Sequence, residues 1–271
     1  MLADTIGSAI SEPEFRRLRE MFHAASGIWL ADSKKVLVCG RLAKRLRHLG
    51  LRSYRDYLDT LEQPGHEAER QMAIDLLTTN ETHFFREPRH FELLREELAR
   101  APQRSWRVWS AACSTGEEPY SIAMTMMEVL GERPWRVFAS DLSTQVLEAA
   151  QRGVFGAQRA SEIPRALALK YCLEGFDEYS GQYLIERRLR DRLSFDQVNL
   201  MAPLPPLEPF DIVFLRNVLI YFDNAAKRRI VESIATVMRP GGLLFIGHSE
   251  TLGGITERLT QVVPTVYRRP S

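Results

Sequence analysis

Apolar positions recur every three to four residues through the first quarter of the chain, and the punctuation between them is that of short helices. Ser11-Glu12-Pro13-Glu14 offers an N-cap serine, a proline in the first turn and a glutamate placed to cap in return. A helix is therefore expected to start there, run to about Ala25 and close at Ser26-Gly27. A second is expected from about Ser33 to Leu49, ended by Gly50. Val38, Leu42, Leu46 and Leu49 share one of its faces, and Arg41, Lys44, Arg45 and His48 another. Tyr54–Leu61 and Glu67–Leu77 read as two more helices. From Trp106 the period changes. Short apolar runs at Arg107–Ala111, Arg136–Ser140, Leu193–Val198, Asp211–Leu215, Leu243–Gly247 and Thr265–Arg268 read as strands. Helical stretches at Pro119–Leu130, Thr144–Arg152 and Ala225–Met238 lie between them. Strand and helix in alternation build a parallel sheet with right-handed crossovers. Tyr171–Arg190 breaks the alternation, with aromatic and β-branched residues around the turn signal Tyr179-Ser180-Gly181, and reads as an inserted β-hairpin.

The expected architecture is α/β. An all-helical domain covers 1–77, a linker 78–90, and a doubly wound domain 91–271 that carries a small antiparallel β insertion at about 171–190. The linker is no plain spacer, because Thr79-Asn80-Glu81-Thr82-His83-Phe84-Phe85-Arg86-Glu87 packs polar and aromatic residues densely.

Composition narrows the function classes. The formal net charge of +1 over 271 residues gives no global attraction to nucleic acid or to a membrane surface. No apolar run approaches the roughly 20 residues a membrane helix needs. Met1-Leu2-Ala3-Asp4-Thr5 has neither the basic nor the apolar part of a signal peptide, so a cytoplasmic location is expected. Cys39, Cys113 and Cys172 are far apart, and no Cys-x-x-Cys or His-Glu-x-x-His pattern occurs. Neither a disulfide framework nor a metal site is expected. Residues 33 to 55 hold eight Lys or Arg and no acid. Such a face is either merely solvated or suited to an acidic helical partner, and the absence of interleaved aromatics argues against nucleic acid.

Ligands of open α/β sheets sit beyond the carboxyl ends of the strands, which points to Ser110–Glu118, Asp141, Asn199 and Arg216-Asn217. The first of these loops is rich in small residues and opens a helix at Pro119. It lacks the Gly-x-Gly-x-x-Gly that would cradle a pyrophosphate, and Glu117 and Glu118 would repel one. A nucleoside cofactor without phosphate, carrying positive charge, suits this loop better. Asp141, 25 residues after Gly116, is placed to accept both hydroxyls of its ribose.

The stretches Thr79–Glu87, Trp109–Ser121, Val198-Asn199-Leu200, Arg216–Phe222 and Gly247-His248-Ser249-Glu250 resemble, in order, the signature segments of the CheR family, the chemotaxis receptor glutamate O-methyltransferases. The likeness runs from about residue 12 to the C-terminus and includes the basic helix. It implies an S-adenosylmethionine-dependent methyltransferase fold of Rossmann type, with S-adenosylhomocysteine as product. By that resemblance Asn80, Thr82 and Arg86 from the linker and Glu117 from the first loop contact the cofactor. Asp141 holds its ribose, and Asn199, Leu200, Arg216 and Asn217 line the adenosine. Arg86 and Tyr221 lie beside the transferred methyl. Cys113 stands where relatives often have alanine. Arg41, Lys44 and Arg45 become candidates for binding the substrate, the cytoplasmic region of a chemotaxis receptor. In some members the inserted β-subdomain, matched by Tyr171–Arg190, docks a receptor's tail peptide. A regulatory protein or small effector is a further partner class. An ionised glutamate is already nucleophilic at neutral pH, so the expected catalysis is positioning and exclusion of water without a general base. The competing expectation is a cofactor-binding regulator without turnover.

Overall fold

The computed structural model describes residues 10–271, so the reading of Met1–Thr5 lies outside the described residues. The chain divides into two compact units, one ending at Thr79 and the other spanning Asn80–Ser271.

The first unit is helical throughout: α1 (Glu12–Ser26), α2 (Lys35–His48, preceded by a 3-10 turn at Asp32–Lys34), α3 (Tyr54–Glu62) and α4 (Glu67–Leu77). The helix start at Ser11 forms as its residue types dictate. Ser11 Oγ accepts from the Glu14 amide, and the Glu14 carboxylate accepts from the Ser11 amide at 2.8 Å. Gly27, at φ 73°, ends α1 in the left-handed conformation that glycine adopts without strain. Phe15, Leu18, Phe22, Val38, Leu42, Leu46, Tyr57 and Leu61 form one core. Each such side chain contributes about 1.5–3 kcal/mol by leaving water.

On the basic face of α2, two of the three candidate residues also make contacts within the unit. Arg41 Nη1 donates to the carbonyls of Leu76, Leu77 and Thr78, the last at 2.7 Å. It thereby satisfies acceptors that the end of α4 leaves without intrahelical partners. Arg45 donates from Nε to Glu69 at 2.9 Å, and the Tyr57 hydroxyl donates to the same carboxylate at 2.9 Å. Burial works against ionisation of Glu69, but these two hydrogen bonds outweigh it and hold its pKa below the usual value. Two of the three basic residues expected to face a partner thus brace the unit itself, and Lys44 is exposed.

The second unit opens with α5 (Pro88–Arg100), a helix the sequence reading did not mark. Next come β1 (Trp106–Ala111), α6 (Glu117–Leu130), β2 (Trp135–Asp141), α7 (Thr144–Arg152), β3 (Val154–Gly156), α8 (Ala157–Ala160), α9 (Arg165–Tyr171), β4 (Cys172–Glu174) and β5 (Gln182–Ile185). After these come α10 (Arg187–Arg190), β6 (Leu193–Gln197), β7 (Phe210–Leu215), α11 (Asn224–Thr236), β8 (Met238–Ile246), β9 (Thr260–Val263) and β10 (Val266–Arg268). The main sheet runs β6-β2-β1-β7-β8-β10-β9. Its first five strands are parallel, while β10 runs antiparallel to β8 and β9 antiparallel to β10, so the sheet is mixed where a parallel one was expected. β1 is central, and successive connections leave it to opposite sides, which opens a crevice at the carboxyl ends of β1 and β7. Val108, Ile122, Met126, Val137, Ile212, Phe214 and Phe245 belong to the buried core of this unit.

The inserted hairpin is real but larger than expected. β4 and β5 pair antiparallel, and β3 adds to the other edge of β5 to make three strands. Arg187–Arg190, at the end of the expected hairpin, is a helical turn.

Candidate active site

Every site residue expected in the second unit lies on the segment from Asn80 to Glu87, at the end of a main-sheet strand, or in the loop or first turn that follows one. Asp141 ends β2 and is buried. Its two oxygens accept the backbone N–H groups of Ser114 (2.9 Å) and Ser143 (3.0 Å), one from each neighbouring loop. Such donors fix the carboxylate's orientation. The main chain of Asp141 also accepts from Val198, which brings Asn199 and Leu200 to the same edge. Asn199 Oδ1 takes the Met201 amide at 2.9 Å and shapes that turn.

Close packing makes the loop after β1 what it is. Gly116 stands at φ 102°, and a Cβ there would lie 3.0 Å from Cβ of Ala150. Any other residue would push the loop off α7. Ala112 and Ser114 also hold positive φ, so the loop is sharply wound. Ser114 Oγ donates to the Asn80 carbonyl at 2.9 Å, and Arg159 donates to the Thr82 carbonyl and pairs with Glu117. The side chain of Glu117 is fully buried, with Thr115 Oγ1 donating to it at 2.6 Å. The segment from Asn80 to Thr82 is therefore tied to the loop at two points.

A second set of ties holds Arg86. The buried guanidinium of Arg216 lies 3.0 Å from Glu118 and 2.9 Å from Glu87, and it donates to the Arg86 carbonyl at 2.5 Å. The sequence reading puts Arg216 against adenosine, whereas its side chain is engaged in this network. Glu118 is likewise interior, where burial raises its pKa against the pull of Arg216. Glu87 receives the Asn217 side-chain amide and the His248 backbone N–H. Burial opposes its charge, but Arg216 and those donors prevail and bring its pKa down to about 2. Glu250 joins the other side, accepting N–H groups of Gly247, Asn217 and Ile220. Phe85 and Glu87, on either side of Arg86, and Asn217 all carry positive φ. Each such non-glycine residue costs on the order of 1–3 kcal/mol and persists because surrounding bonds over-determine it. Phe84 packs edge-on against Phe155 and Phe85 against Phe91, so this segment is anchored on the second unit.

Amid these ties the Arg86 side chain is half-buried, and its one side-chain hydrogen bond goes to the Glu81 carbonyl at 3.1 Å. Among the described residues no carboxylate lies within ion-pair range of it. Tyr221 follows Asn217 by one 3-10 turn, is half-buried, and its hydroxyl has no hydrogen-bond partner among the described residues. Cys113, wholly buried, is held well above the usual thiol pKa by desolvation and by Asp141, so it is not a thiolate nucleophile.

Two family models cover this chain almost end to end: the CheR methyltransferase all-alpha domain over residues 13–78, and the CheR methyltransferase SAM-binding domain over 80–268. The chain belongs to the CheR family. The chemotaxis protein methyltransferase of Escherichia coli K12 is 42% identical, an alignment that spans 96% of this chain and 91% of that protein. Chemotaxis protein methyltransferase 2 of Pseudomonas aeruginosa is 41% identical across 94% and 92%. The solved N-methyltransferase NodS of Bradyrhizobium japonicum with S-adenosylhomocysteine is similar at 16% identity, with a TM-score of 0.43 over 73% of this chain and 95% of that one. S-adenosylmethionine is thus the methyl donor, and the site suits it. Asp141 is held in a fixed orientation at a strand end, and acids flank the sharply wound loop beside it. Sequence reasoning overlooked Ser114, Glu87, Arg159 and Glu250 as organising residues. Glu87 and Glu250 sat inside recognised motifs, but Arg159, on a four-residue helix, carried no signal.

Proposed function

We propose that this CheR-family methyltransferase esterifies glutamate side chains on the cytoplasmic region of chemotaxis receptors. Arg86 carries the reading. Its backbone is held through its carbonyl by Arg216 and flanked by strained residues, and among the described residues no carboxylate lies in ion-pair range of its guanidinium. A planar donor fork in that state fits an incoming carboxylate. The sulfonium of S-adenosylmethionine supplies an electrophilic methyl group. The chain's residues do the rest. Asp141 and the loop fix the nucleoside end, Arg86 orients the acceptor oxygen, and Tyr221 offers a hydroxyl for a second hydrogen bond to the acceptor. A glutamate with a reference pKa near ~4.3 is ionised at neutral pH, so no base has to remove a proton from it. On the helical unit Lys44 is the residue offered to an acidic receptor helix, while Arg41 and Arg45 hold α2 in shape.

The reading is tested by transfer of labelled methyl from S-adenosylmethionine to a purified receptor cytoplasmic fragment. Wild type labels the fragment, and a fragment whose accepting glutamates are replaced by alanine stays blank. Cofactor binding without any label transfer would favour the regulator reading instead.

A further inference from the structure

Behind the Arg86 segment, three potential ligand atoms converge that the methyl-transfer site does not use. His90 Nδ1 lies 3.4 Å from Glu87 Oε2, and His248 Nε2 lies 3.7 Å from the same oxygen. All three atoms fall within 4.8 Å of one another. The edge of a tetrahedron with metal–ligand bonds of 2.0–2.1 Å is roughly 3.3–3.5 Å, so two of the three edges are near that spacing already. Their chemistry, two imidazoles and a carboxylate, is that of a zinc-type divalent ion.

The hydrogen bonds around His90 decide what faces this point. Thr265 Oγ1 lies 2.8 Å from His90 Nε2, and its hydroxyl donates to the Pro264 carbonyl at 2.6 Å. When the Thr265 proton goes to Pro264, the hydroxyl accepts from His90; in that tautomer the ring proton sits on Nε2 and Nδ1 presents a bare lone pair. This arrangement, the far nitrogen donating to an oxygen, is the one that orients a ligating histidine. Thr265 is held at φ 64°, a conformation that is an outlier for a β-branched residue. Nδ1 faces Glu87 Oε2, and among the described residues neither atom has a well-aligned hydrogen bond, although Oε2 is ion-paired with Arg216. In that tautomer two lone pairs face each other, and a cation between them would relieve their repulsion. The carboxylate is pinned in this pose because its other oxygen takes the Asn217 and His248 N–H groups. The Arg216 guanidinium, 2.9 Å from Oε2, is shared with Glu118 on its other side.

We infer that Glu87, His90 and His248 form a binding site for one zinc-type divalent cation, with a fourth position open on the exposed His248 side. Occupancy would draw Glu87 toward the two imidazoles, and Glu87 is covalently next to Arg86. The test needs no methyl transfer, so it stands apart from the proposed function. Untagged full-length protein, stripped with chelator, is titrated with Zn2+ by calorimetry and with Co2+ by visible absorption. One equivalent should bind, with the strong visible bands of four-coordinate Co2+ and a raised melting temperature. His248→Ala, at an exposed position that folding does not need, should weaken Zn2+ binding at least tenfold and abolish the bands. Glu87→Gln, isosteric, should do the same, with circular dichroism to confirm its fold. Wild-type protein that binds no metal, or binding unchanged in His248→Ala, overturns the assignment.

Discussion

Asp141 shows how much a single side chain can be made to do by its surroundings. Two backbone donors orient its carboxylate before any ligand arrives. S-adenosylhomocysteine should raise the melting temperature, since a ligand at a hundredfold excess over Kd adds about 2.7 kcal/mol to the folded state. Asp141→Ala should lose most of that shift in a thermal scan, and NAD should give none to either protein. Arg86 and Tyr221 separate binding from chemistry. Arg86→Ala should lower kcat on a receptor fragment by roughly 10²–10³-fold, the scale for losing a preorganised donor at a charged reacting group. Tyr221→Phe should keep cofactor affinity within about twofold and slow turnover by a smaller factor. If both variants turn over at the wild-type rate, neither side chain touches the acceptor. Asp141 was legible from its spacing after Gly116, a local geometric signal. Glu87 was not, because its role depends on Arg216, Asn217 and His248, which reach it only through the folded sheet.

At the scale of elements, α2 corrects the surface picture drawn from charge alone. Periodicity placed Arg41, Lys44 and Arg45 together, but it could not show that Arg41 closes the end of α4 or that Arg45 shares Glu69 with Tyr57. The three positions should therefore respond differently to charge reversal. Lys44→Glu should change stability by less than about 0.5 kcal/mol yet reduce receptor methylation, an effect that added salt mimics in wild type. Arg45→Glu should destabilise the helical unit by about 3 kcal/mol or more, because it leaves Glu69 buried beside a like charge. The same pair sets a pH dependence. Glu69 has a folded pKa below its unfolded value, so its contribution is present above about pH 4.5 and is lost as pH falls below it. Glu69→Gln should flatten the acid side of the stability curve between pH 5 and 3, as read by denaturant midpoints. The short strands β3 and β9 and the helix α5 escaped the sequence reading for related reasons. Three or four residues carry no period. In α5 a single buried stripe, Phe91, Leu94 and Leu98, is diluted by Arg and Glu.

Taken whole, the molecule joins a helical unit to a methyltransferase unit whose crevice is built from strand ends and from the segment that follows the boundary at Thr79. Alternation of strand and helix made the α/β class and the site's edge of the sheet readable from sequence. The antiparallel return of β10 and β9 was not, since pairing direction is set by connection and not by residue type. In the proposed function this scaffold presents a methyl group to a glutamate carboxylate. Peptide mapping, by mass spectrometry, of a receptor fragment incubated with the protein and S-adenosylmethionine tests it. Methylation is expected only on glutamate residues of the receptor's acidic helices, removed by mild alkali as an ester must be and absent with Arg86→Ala. A methyl mark on lysine, arginine or a terminus, stable to alkali, would contradict it.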